Sequence, residues 1–127
     1  MTAVAASGKL PQEQPADVEN EATSMLIHVT ATHSEDNCPG YNMELIPTVL
    51  KGLEAREEIA KKHGVKLLGF WSAAPDHVFY LLVDADSAHD VDMFVTESTP
   101  FKQAYRLTPV MAADELVRLA KEYMARG

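Results

Sequence analysis

A chain of 127 residues, 46% hydrophobic and 24% charged, is expected to form one globular domain around a single hydrophobic core. Its formal net charge of −8 argues against nucleic acid, which needs a basic surface, and against anionic membrane surfaces. One cysteine rules out an intrachain disulfide framework, and no apolar run approaches the roughly 18 residues of a spanning helix, so a cytoplasmic protein is expected.

Residues 1 to 24, "MTAVAASGKLPQEQPADVENEATS", have no leading basic region and no sustained apolar core, so no signal peptide is expected. Prolines, acids, glutamines and small residues leave almost nothing large to bury. Such a composition does not offset the entropy of ordering, and a flexible tail is expected there, with the folded domain over 25–127.

The patterns switch at Met25. "MLIHVTATH" is rich in β-formers and too short for a stable helix, which predicts a first strand. "ELIPTVLKGLEAREEIAKKHG" places Ile46, Val49, Leu50, Leu53 and Ala60 near a 3.6-residue period. One main helix is expected there, with Glu57–Lys61 and Glu58–Lys62 pairs on its wet face and Gly64 as its stop. "VKLLGFWSA" and "HVFYLLVDA" read as two strands joined at "APDH", where Pro75 suits a turn. Ser87, with Asp90 three residues on, reads as the cap of a short helix whose apolar side is Val91, Phe94 and Val95. "QAYRLTPV" is a fourth strand in which Pro109 fits a sheet edge. "ADELVRLAKEYMARG" closes the chain as an amphipathic helix using Leu116, Leu119, Ala120 and Tyr123.

The fold class is therefore α+β, a ferredoxin-like βαββαβ order with a C-terminal helix. It implies a four-stranded antiparallel sheet in order 4-1-3-2. With Pro75 and Asp76 in the turn, Trp71 lies opposite Tyr80, and side-chain alternation sorts the strands into two faces. One holds Leu68, Phe70, Phe79, Leu81 and Val83, joined by Met25, Ile27 and Val29, and belongs under the helices. The other holds Leu67, Trp71, Val78, Tyr80 and Leu82, with Leu26, His28, Thr30 and Thr32, and is too apolar to face water. A second subunit is the expected cover.

This order, and a sheet apolar on both faces, resemble the dimeric α+β barrel superfamily of ferredoxin-like proteins over roughly residues 25 to 110. "HSEDNCPGYN" and "APDHVFYLLVDADS" are similar to segments of small uncharacterised proteins of that type. The superfamily includes small monooxygenases of antibiotic biosynthesis, muconolactone isomerases, stress-responsive proteins and a metal-binding branch with nickel-binding members. The resemblance implies a homodimer and allows many chemistries.

Two sites follow. Strand one ends at His33, strand three starts beside it at His77, and Cys38 lies in the loop "THSEDNCPGYN" between strand one and the first helix. Two imidazoles and a thiol suit Zn, Ni, Cu or Fe, with Glu35, Asp36 or water as a fourth ligand. The same residues also fit two solvated strand-end histidines with Cys38 packed as a small hydrophobe, or a reactive thiol at a helix N-terminus. The second site is a barrel cavity lined by Trp71, Tyr80 and His28, where His28 serves as a general acid or base in a cofactor-independent isomerase or monooxygenase. There a core histidine in a dimer interface is the competing reading. His63 and His89 read as solvated. No phosphate loop or dinucleotide fingerprint is present, so no nucleotide cofactor is expected.

Overall fold

The computed structural model describes residues 24 to 127; the expected tail lies outside the described residues except for Ser24. Four strands, β1 (Met25–Thr32), β2 (Lys66–Ala73), β3 (Val78–Ala85) and β4 (Ala104–Pro109), form one antiparallel sheet in order β2-β3-β1-β4. Helices α1 (Ile46–Glu54) and α2 (Arg56–Lys62) link β1 to β2, α3 (Ala88–Ser98) links β3 to β4, and α4 (Ala113–Ala125) ends the chain. This is the α+β architecture and strand order that the sequence predicts. Among the described residues no helix is long and apolar enough to cross a membrane.

The core lies between one sheet face and the helices. Ile27, Val29 and Ala31 of β1 alternate with outward neighbours, as do Leu81, Val83 and Ala85 of β3, and all six are buried. α3 lays Val91, Phe94 and Val95 on them, so its predicted apolar side is the buried side. Its start is fixed by Ser87, whose hydroxyl accepts from the Asp90 backbone N–H at 3.2 Å.

The single helix expected after β1 is instead two. Ala55, at φ −92° and ψ 8°, leaves helical geometry, and the Arg56 guanidinium donates to the Leu53 carbonyl at 2.8 Å. The break lets each short helix bury its own residues: Val49 and Gly52 from α1, Ile59 and Ala60 from α2. Leu50, expected on the apolar side, is half exposed instead. Lys62, expected to pair with Glu58, reaches Glu97 of α3 at 2.5 Å. His63, expected in solvent, meets the same carboxylate at 2.8 Å. Hydrogen bonds with Lys62 and then His63 hold Glu97 below the usual carboxylate range.

Gly52 explains how closely α1 approaches α3. A methyl group at that position would lie 2.5 Å from the Ser98 carbonyl oxygen, a backbone atom that does not swing aside. Gly52→Ala is therefore expected to destabilise the domain by roughly 1–3 kcal/mol through overpacking, despite the higher helix propensity of alanine. A denaturant midpoint equal to or above that of the wild type would contradict this packing.

The predicted register of the central hairpin is present, with Trp71 opposite Tyr80 and Phe70 opposite Leu81. One assignment reverses. A bulge between Leu67 and Gly69 puts Leu67 opposite Val83 and against the core, while Leu68 becomes 46% exposed. An extra residue in one strand flips everything beyond it, which alternation counted from the turn does not reveal. The indole of Trp71 lies across Gly69, where an added Cβ would come within 2.2 Å of the ring.

Candidate metal centre

The site is built at the end of the sheet where β1 stops and β3 begins. The His33 backbone N–H donates to the His77 carbonyl at 3.2 Å, extending the ladder one step beyond Thr32 and Val78. The two imidazoles stack edge to face with centroids 5.2 Å apart. The turn before β3 is not a simple β-turn: Ala74–Asp76 form a short 3-10 turn, and His77 follows in the left-handed region at φ 57° and ψ 48°. It is the one described non-glycine residue with positive φ. That conformation costs a side-chain-bearing residue about 1–2 kcal/mol. Here it sets the imidazole beside His33.

Cys38 reaches the same place through a tightly bonded loop. Glu35–Asn37 make a 3-10 turn in which the Cys38 N–H donates to the Glu35 carbonyl at 3.1 Å. The Asn42 amide donates to the carbonyls of Asp36 at 2.8 Å and Cys38 at 2.9 Å, closing the loop on itself. The Gly40 N–H donates to Cys38 Sγ at 3.4 Å.

One donor atom each from His33, Cys38 and His77 lies within 4.8 Å of the others, and all three residues are half-buried. An ion with bonds of about 2.0–2.3 Å sets tetrahedral ligands about 3.3–3.8 Å apart, so the side chains need to close by on the order of an ångström. Nδ1 and Nε2 of His33 and Nδ1 of His77 are buried with no hydrogen-bond partner among the described residues. Buried imidazole nitrogens are ordinarily paired. Phe101, at 5.0 Å, and Phe79, at 6.3 Å, wall His33 on the core side, and Tyr41 lies 6.2 Å from His77. Burial, and then the neighbouring His77, hold His33 below its ordinary pKa of 6.5, in the neutral form that ligates metals.

Glu35 and Asp36, read from the sequence as fourth ligands, lie outside this cluster. With Tyr41 and Asn42 they line a depression of about 280 Å³ on the same loop. Sequence reasoning did not place Phe101 or Tyr41 at the site, and neither residue carries a spacing signal that would have done so. His28 lies elsewhere, on the sheet's outer face, 5.8 Å from Tyr80 and in register with Leu82 and Thr108. Trp71 shares that face, 56% exposed, so in a single chain these three residues line an open surface.

His77→Gly separates the turn from the ligand. Glycine is free of the left-handed penalty but gains entropy in the unfolded chain, so metal-free stability is expected to stay within about 1 kcal/mol of wild type. Metal uptake is expected to be lost. Retained uptake, measured by metal content after gel filtration, would remove His77 from the site.

Residues 46–124, over half of the chain, match the model of DUF3303, a domain family of unknown function, and the chain belongs to that family. The matched range takes in His77 and begins after His33 and Cys38. No curated protein matches the chain.

Proposed function

We propose that this DUF3303 protein binds a transition metal ion through His33, Cys38 and His77. What carries the reading is the set of buried, unpartnered imidazole nitrogens meeting a thiol within one small volume. Metal coordination is the chemistry that satisfies imidazole nitrogens and a sulfur together. Nitrogen and thiolate donors suit Zn, Ni, Cu or Fe and disfavour the hard cations Mg and Ca. Three protein ligands leave a fourth position for water or an exogenous group, as in catalytic rather than purely structural zinc sites. The test is metal content and thermal shift of untagged protein with Zn(II), Ni(II) or Co(II), against Cys38→Ser. Absence of a stoichiometric metal in both would overturn the reading.

We propose further that the protein is a homodimer closed over the outer sheet face, as the dimeric α+β barrel resemblance implies. The support is apolar surface that the described helices leave uncovered: Leu68 at 46%, Trp71 at 56% and Tyr80 at 36% exposure. The second functional reading, a cofactor-independent isomerase or monooxygenase acting around His28, depends on that closure to turn an open face into a cavity.

A further inference from the structure

We infer that α4 is an exchanged arm, packed by each chain against β2 of a second copy. The inference rests on the homodimer proposed above and adds what each copy contributes to it.

Every residue of α4 is exposed, although its sequence is strongly amphipathic. Leu116, Leu119, Ala120 and Tyr123 fall at i, i+3, i+4 and i+7, one continuous apolar stripe. Leu116 is 59% and Tyr123 77% exposed. A 13-residue helix with that stripe facing water has little to hold it, since most helical stability in proteins comes from tertiary packing. The polar side is by contrast well made: Arg118 bridges Glu115 and Glu122.

The acceptor lies at the far edge of the same sheet. β4, which leads into α4 through Val110–Ala112, is one edge strand, and β2, which carries Leu68 and Trp71, is the other. Three strand spacings, about 14 Å, separate them. A two-fold axis running along the strands between two facing sheets lays β4 of one chain over β2 of its partner. Each arm then meets the other chain's exposed leucine and indole, and the contact is made twice, as closed two-fold symmetry requires. The dimensions agree: α4 is about 20 Å long and β2 about 26 Å. A second observation marks the same surface. Asp84, opposite Lys66 on the outer face, keeps a buried carboxylate oxygen with no hydrogen-bond partner among the described residues.

Trp71 is the chain's single tryptophan, so its fluorescence reports the contact directly. In the full-length protein, at concentrations where it sediments as a dimer, acrylamide quenching is expected to be several-fold weaker than for free indole. Leu116→Glu with Tyr123→Glu, in the full chain, should bring quenching close to the free-indole level. Diluting wild-type protein until the dimer dissociates should do the same, which keeps the test independent of how the variant folds. A dimer whose shielded tryptophan is unaffected by the double variant overturns the arm and leaves the homodimer standing, whereas a dimer whose tryptophan is as quenchable as free indole is not closed over the outer face and overturns both. A monomer with a shielded tryptophan places α4 on its own chain and overturns both. A stable monomer with an exposed tryptophan at micromolar concentration also overturns both.

Discussion

Changing Cys38 to serine is expected to abolish metal-induced stabilisation. An ion that binds the native state alone stabilises it by RT ln(1 + [L]/Kd), about 2.7 kcal/mol at a hundredfold excess over Kd. For a domain of this size that is on the order of 10 °C in melting temperature. Serine keeps the shape of Cys38 and the loop hydrogen bonds made by its backbone but removes the soft donor. The metal-free variant should therefore melt close to wild type while the added-metal shift disappears. Co(II) gives a second readout, because thiolate-to-cobalt charge transfer is present only if sulfur is bound. A full thermal shift in Cys38→Ser would mean that the histidines, or other groups, bind without the thiol.

The same site carries a pH dependence. His33 resists protonation in the folded protein, so its pKa lies below the 6.5 of the unfolded chain. Above that value neither state is protonated and the stability from His33's neutral burial is fully present. As pH falls below it, the unfolded chain takes a proton that the folded protein refuses, and metal-free stability declines. Metal affinity falls in the same direction, because neutral imidazoles and a thiolate are required. His33→Phe is expected to flatten the metal-free decline.

How far the residues predicted these structures depends on how local the signal is. β1 and β3 were legible because alternation is a period-two property of a few consecutive side chains. His33 and His77 followed from it: once the turn at Pro75 and Asp76 fixes the hairpin, the strand order places one residue beside the other. The bulge at Leu67 and Leu68 was not legible, since both are leucines and nothing between them says which faces inward. The break at Ala55 was hidden for another reason. No proline or glycine sits there; the helix is interrupted because Gly52 must meet the backbone of Ser98 while Ile59 and Ala60 turn to the sheet. Both are decisions of packing between distant segments. The aromatic wall around His33 is similar, because Phe101 reaches it only after α3 and a hydrogen-bonded turn through Thr99.

That wall depends on the residue whose loss should cost the domain most. Phe94 is the largest fully buried side chain, at 0% exposure, and packs α3 onto the sheet with Val91 and Val95. Phe94→Ala removes most of a ring from a close-packed interior and leaves a cavity that β1 and β3, held in a ladder on both sides, have little freedom to fill. Such changes cost about 3–5 kcal/mol. Natural domains have only about 5–15 kcal/mol in all, so a substantial unfolded fraction at 37 °C is expected. Phe94→Leu, which keeps much of the volume, should cost distinctly less. The C-terminal end of α3 links this change to the metal centre: the Thr99 hydroxyl donates to the Val95 carbonyl at 2.7 Å, and the Phe101 N–H to the Thr99 carbonyl at 2.8 Å. Loosening α3 therefore loosens the wall behind His33. Metal added to Phe94→Ala should still raise its denaturant midpoint, but by less than in wild type, because part of the binding free energy goes to reordering Phe101. An equal shift in both proteins would show that the centre is assembled without α3.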